Sequence, residues 1–146
     1  MNIITEYYNK GLSIILAIVP IYDSKICYVK YDTREEYDEA LEFCEKMGLN
    51  TDEYKGNDYF DAFGFTFKDK TLKGNIHFIF MNAREDYKDD FVNTLSHETY
   101  HLITNMGRHH GLDVHDTGDN EHFAYLTGYI FDKLVQFTER MNKSKE

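Results

Sequence analysis

Phe63-Gly64-Phe65-Thr66-Phe67-Lys68-Asp69-Lys70-Thr71-Leu72-Lys73-Gly74-Asn75-Ile76-His77-Phe78-Ile79-Phe80 is the stretch that decides the fold class. Phe63, Phe65 and Phe67 stand at every second position, as do Ile76, Phe78 and Phe80. Successive side chains of a strand point to opposite faces, so each trio lines one face of a strand. The polar segment Asp69–Gly74 between them is predicted to be a hairpin loop, and the six apolar residues are predicted to be core.

Working outward, Leu12–Ile21 is an apolar run rich in Ile and Val, which suits a buried strand. Strands are predicted over 12–20 and 25–31, joined as a hairpin near Pro20–Asp23. A helix is predicted over 33–47. Thr33 can cap it, Glu36 follows three residues later as in a capping box, and Tyr37, Ala40, Leu41 and Cys44 recur at helical spacing. Gly48 is a good stop. The polar residues 49–61 read as a loop. A second helix is predicted from about 86 to 106, with Val92, Leu95, Thr99, Leu102 and Met106 as its apolar stripe and Gly107 as its end. A polar loop over 107–118 leads to a last helix over 119–141, with Phe123, Leu126, Ile130, Leu134 and Phe137 on one side. The expected architecture is α+β: one domain over residues 1–146, a small antiparallel or mixed sheet packed against helices.

Composition limits the function classes. The chain has 146 residues, enough to bury a core without covalent staples. Its formal net charge is −10, with the acids spread along the chain. That charge argues against binding nucleic acid or an anionic membrane, since phosphate contacts need clustered Lys and Arg. Cys27 and Cys44 form no CxxC pair and are too few for a disulfide scaffold, so two buried thiols in a reducing compartment are the simplest account. The apolar run near the N-terminus has Glu6 upstream, Lys10 as its only preceding basic residue, and no small-residue cleavage site after it. A cytoplasmic protein without a membrane span is therefore expected.

The second predicted long helix contains Leu95-Ser96-His97-Glu98-Thr99-Tyr100-His101, a His-Glu-x-x-His motif. Residues four apart lie one turn apart on the same helix face, so both imidazoles can aim at one ion about 2 Å from each. Glu98 stays near that point without being a ligand and can accept a proton from water there. The composition of the chain gives such a pattern roughly 0.03 chance occurrences. A catalytic zinc needs a third protein donor and an open position. Glu121, at the start of the following helix, is the preferred candidate for one zinc ion with His97 and His101. Asp113, Asp116, Asp119, His109, His110, His115 and His122 compete with it. On its own, Glu121 is also an ordinary first-turn acid that complements the helix dipole.

His97-Glu98-x-x-His101 followed by Glu121 resembles the gluzincin branch of the zincin metallopeptidases. The segment Asp119-Asn120-Glu121-His122-Phe123-Ala124-Tyr125-Leu126 resembles the Glu-x-x-Ala-Tyr stretch of small HExxH proteins encoded by bacteriophages. The resemblance implies a zincin-like active-site helix followed by a ligand-bearing helix. It implies His97, His101 and Glu121 as zinc ligands and Glu98 as general base in hydrolysis of a peptide or protein substrate. It also implies an edge strand just before the motif helix, which would be 75–81, and the host cytoplasm as a setting. The chain departs from the pattern in two places. Tyr125 stands where many gluzincins carry an Asp, and no His is assured for steadying the tetrahedral intermediate, Tyr100, His109, His110 and His115 being candidates. Thr104 stands where the metzincin pattern has Gly. Three other functions fit the same residues: a zinc-binding protein without catalysis, an acidic interaction or inhibitor protein, and hydrolysis of a non-peptide amide. Substrate and oligomeric state are not legible in the sequence.

Overall fold

The computed structural model describes residues 1–55, 64–67, 75–83, 90–113 and 120–144. Five strands and three helices follow in the order β1 (Asn2–Asn9), β2 (Leu12–Val19), β3 (Ser24–Tyr31), α1 (Arg34–Glu45), β4 (Gly64–Thr66), β5 (Ile76–Asn82), α2 (Phe91–His109) and α3 (Glu121–Lys143). The fold is α+β, with one five-stranded mixed sheet in the order β1-β2-β3-β5-β4. Among the described strands only the β3–β5 pair is parallel, with Lys25–Tyr31 in register against Ile76–Asn82. A parallel pair cannot be joined by a tight turn, and here the connection passes through α1 and β4.

The period-two alternation of the strands sorts the core into two layers. On one face Ile15, Ala17, Ile26, Tyr28, Ile79 and Met81 pack with Leu95, Leu102 and Met106 of α2 and with Leu126, Ile130 and Leu134 of α3. On the other face Ile14, Cys27, Val29, Phe65, Phe78 and Phe80 pack with Tyr37, Leu41 and Cys44 of α1. Both cysteines are free and buried in this second layer. Each large apolar side chain taken from water contributes roughly 1.5–3 kcal/mol, so the sheet is held from both sides. Phe65, Phe67, Phe78 and Phe80 are buried as the alternation predicts. Phe63, the predicted hairpin loop Asp69–Gly74 and the predicted helix start at 86–89 lie outside the described residues.

Helix α1 carries the predicted capping box: Thr33 accepts from the Glu36 backbone N–H, and the Glu36 carboxylate accepts from the Thr33 backbone N–H. The same carboxylate also accepts from the Asp32 and Gly11 backbone N–H groups at 2.9 and 2.6 Å. It thereby ties the β1–β2 turn to the helix start. No described helix is long and apolar enough to cross a membrane.

Three expectations need correction, and one strand was missed. Strand β1 was not foreseen. Its pattern is mostly half-exposed or exposed, and a register shift between Ile3 and Thr5 breaks the alternation. Helix α2 does not stop at Gly107, which is buried within it. It ends two residues later, where Gly111 takes φ +71°. The N–H groups of Gly111 and Leu112 there return to the carbonyls of Arg108 and Gly107 at 3.0 and 2.8 Å. A left-handed glycine just past the last turn closes the helix in this way at little steric cost. Val92 is 58% exposed and so falls off the predicted stripe of α2. Finally, the strand preceding the motif helix is not an edge: β5 is flanked by β3 and β4, and among the described strands β4 ends the sheet on that side.

Candidate metal centre and catalytic carboxylate

Helix α2 lies against β4, β5 and α3. Leu95, Leu102 and Met106 face the core and turn the His97–His101 face outward. The His97 side chain is 68% exposed. One turn apart, the two rings meet with their Nε2 atoms 3.1 Å from each other. Two nitrogens held about 2.0–2.1 Å from one tetrahedral ion lie roughly 3.3–3.4 Å apart, close to that separation. The same contact is a hydrogen bond when one of the nitrogens carries the proton.

Glu98, between them in sequence, is only 5% exposed. Its Oε2 accepts a hydrogen bond from Thr66 Oγ1 at 2.7 Å, and Thr66 Oγ1 lies 3.2 Å from the Glu98 backbone carbonyl as well. Its Oε1 is 3.9 Å from His97 Nε2, beyond direct hydrogen bonding. One carboxylate oxygen is therefore fixed to β4 and the other lies on the side of His97. Gly64 makes this approach possible. A Cβ at that position would lie 2.6 Å from Met81 Sδ, 3.0 Å from Thr94 Cγ2 and 3.1 Å from Glu98 Cγ. With no Cβ there, β4 settles onto α2.

Glu121 stands exposed on the first turn of α3. Among the described residues, no three His, Cys, Asp or Glu side chains are grouped to hold an ion. The structure thus joins His97, His101 and Glu98 but does not bring Glu121 in as a third donor. Of the competing candidates, His115, Asp116 and Asp119 lie outside the described residues, and Asp113 is exposed. Tyr100 is 46% exposed and its ring is 6.0 Å from that of His101. Tyr125 is 76% exposed, which excludes a core role for it. Two hollows, one beside the acidic face of α1 and one at Pro20, Ile21 and Tyr125, include none of the motif residues.

Sequence reading passed over Thr66 and Gly64. The signal was present, since the alternation that sends Phe65 and Phe67 to the α1 side sends these two to the α2 side. It also passed over a second gathering of rings. His109 and His110, at the end of α2, lie beside His77 of β5, and His110 stacks on Tyr22 at 4.8 Å. Burial, and secondarily the neighbouring His109 and His110, push the His77 pKa down to about 4. Tyr22 Oη is also hydrogen-bonded to His122 Nε2.

Set against family models, curated proteins and solved structures, the chain matches none of them.

Proposed function

We propose that the chain is a zinc-dependent metallopeptidase in which His97, His101 and Glu121 hold the ion and Glu98 is the general base. The observation that carries this reading is the pairing of two imidazole nitrogens 3.1 Å apart with a buried carboxylate whose Oε1 lies 3.9 Å from the Nε2 of one of them, His97. Imidazole nitrogens one helical turn apart suit zinc, and the separation suits a shared ion. Glu121 is the third donor by the resemblance. It sits on a helix packed along α2, and its exposed side chain would be drawn in when the ion binds.

A zinc ion held there by His97, His101 and Glu121 would supply a Lewis acid and make water more acidic. Glu98 takes a proton from water at Oε1 as the peptide carbonyl is attacked, and returns it to the leaving amine. Thr66 holds Oε2 throughout, so the carboxylate does not have to find its rotamer during the reaction. Among the described strands β4 ends the sheet and touches Glu98 through Thr66, and an extended peptide can add to it as a further strand.

One observation favours a second reading, zinc binding without catalysis. The His97 imidazole lies open on the helix surface, its side chain 68% exposed. Zinc analysis of the native chain beside Glu98→Gln, with a peptide library as substrate, separates the readings. Metallopeptidase activity requires about one zinc bound at the motif, cleavage by the native chain, and a loss of 100-fold or more in Glu98→Gln with zinc retained. Zinc without cleavage supports the second reading, and a fully active Glu98→Gln would remove Glu98 from the mechanism.

A further inference from the structure

We propose that His77, His109 and His110 form a second site, for a first-row divalent cation such as zinc, at the C-terminal end of α2. Eight residues separate His101 from His109, so this site lies about 12 Å further along the helix axis than the motif.

His77 is the anchor. It is 6% exposed, and its Nε2 is buried without a hydrogen-bond partner among the described residues. It stands opposite Ile26 in the β3–β5 ladder, on the face that otherwise carries Ile79 and Met81. An apolar side chain there would avoid desolvating an imidazole nitrogen, so a ligand that uses the nitrogen gives the residue a reason to be histidine. The His109 ring lies 5.7 Å from the His77 ring, and the His110 ring 5.3 Å from that of His109. Both are exposed and can turn about their side-chain torsions, whereas His77 is held by the sheet. Closing the site requires that turn, because among the described residues no three donors are grouped around one point.

Three features select a cation over an anion. The site sits at the carbonyl end of a 19-residue helix, where the dipole favours positive charge. The chain as a whole carries −10. All three side chains are imidazoles, the commonest protein ligands of such metals. Ser24 adds a hydroxyl at the rim, its Oγ 3.4 Å from His110 Nε2, and the Tyr22 ring stacks on His110. Tyr22 holds φ +58°, an uncommon backbone conformation for a bulky side chain, and its ring lies between His110 and His122. Imidazole donors with hydroxyl oxygens suit borderline cations such as zinc.

This inference is independent of the proposed function, and the test keeps the two apart. Zinc is titrated at pH 7.5 into the full chain, into His97→Ala/His101→Ala, and into His109→Ala/His110→Ala, with stoichiometry read by calorimetry and imidazole nitrogen shifts by NMR. The expected result is one zinc still bound by His97→Ala/His101→Ala, with the His77 Nε2 resonance shifting on binding. That zinc should weaken at least tenfold when His109 and His110 are also replaced. Both are exposed, so the fold should survive; His77→Gln serves as a second variant, its folding checked by circular dichroism. If the His97→Ala/His101→Ala chain binds no zinc, or binds it with His77 Nε2 unmoved, the second site does not exist, whatever the motif does. Zinc lost only on replacing His109 and His110 would support it while removing the metal from the proposed peptidase.

Discussion

Thr66 Oγ1 donates a 2.7 Å hydrogen bond to Glu98 Oε2, tying a three-residue edge strand to the buried acid of the motif helix. Both groups are at most 9% exposed, so little water is at hand to replace either partner. Replacing Thr66 by Val keeps the shape and removes the donor. A buried carboxylate stripped of its donor costs about 1–3 kcal/mol. Thr66→Val should lower stability by that amount in urea denaturation, while Thr66→Ser, which keeps the hydroxyl, should lose less than half of it. Equal losses in the two variants would mean that packing of the methyl group matters and the hydrogen bond does not.

Gly64 should tolerate no side chain. The nearest atom to a new Cβ is Met81 Sδ at 2.6 Å, at the flexible end of its side chain, but Thr94 Cγ2 and Glu98 Cγ follow at 3.0 and 3.1 Å. Met81 can yield alone; the whole face of α2 cannot. Gly64→Ala is expected to destabilise by about 1–3 kcal/mol, as overpacking does in cores. Thermal unfolding measures the loss. An unchanged midpoint would show that β4 can lift from α2 without penalty.

His77 predicts a specific pH dependence. Its folded pKa is depressed to about 4, chiefly by burial, while the unfolded chain titrates near 6.5. Between those values the unfolded state binds the proton and the folded state does not. Stability from this group is therefore complete above about pH 6.5 and is lost as pH falls towards 4. The full span is worth roughly 3 kcal/mol. Carboxylates titrate in the same range, so the comparison is between the native chain and His77→Gln, each unfolded in urea with chelator present at pH 7 and pH 4.5. The native chain should lose about 2–3 kcal/mol more than the variant, and parallel losses would show that His77 does not carry the effect.

The ligand assignment makes a graded prediction. His97→Ala removes one of two imidazoles already in contact, and should weaken zinc binding at the motif by 100-fold or more. Glu121→Ala should weaken it by 10-fold or more, since its carboxylate has to be recruited. Both are read by competition with a chromophoric chelator in the His109→Ala/His110→Ala background. Full affinity in Glu121→Ala would exclude it as third ligand and turn attention to the acids and histidine of 113–119.

Much of the local structure was legible because it depends on neighbours in sequence. The capping box of Thr33 and Glu36, the burial of Phe65, Phe67, Phe78 and Phe80 on one face of the sheet, and the placement of His97 above His101 all follow from helix and strand periods. Strand β1 escaped because a half-exposed strand with a register shift shows no clean alternation. The end of α2 was misplaced because a glycine stops a helix only where the backbone turns left-handed, as at Gly111 and not at Gly107.

By its sequence alone the chain determined that helices run through 34–45, 91–106 and 121–141, that Phe65, Phe67, Phe78 and Phe80 are core, and that two imidazoles would share one helix face. Tertiary structure decided that β4 and not β5 is the edge strand, that Thr66 meets Glu98, and that His77 meets His109. Periodicity states which way a side chain points and says nothing of what it will meet. That depends on strand order and helix docking, and both are settled by burial of the whole core at once.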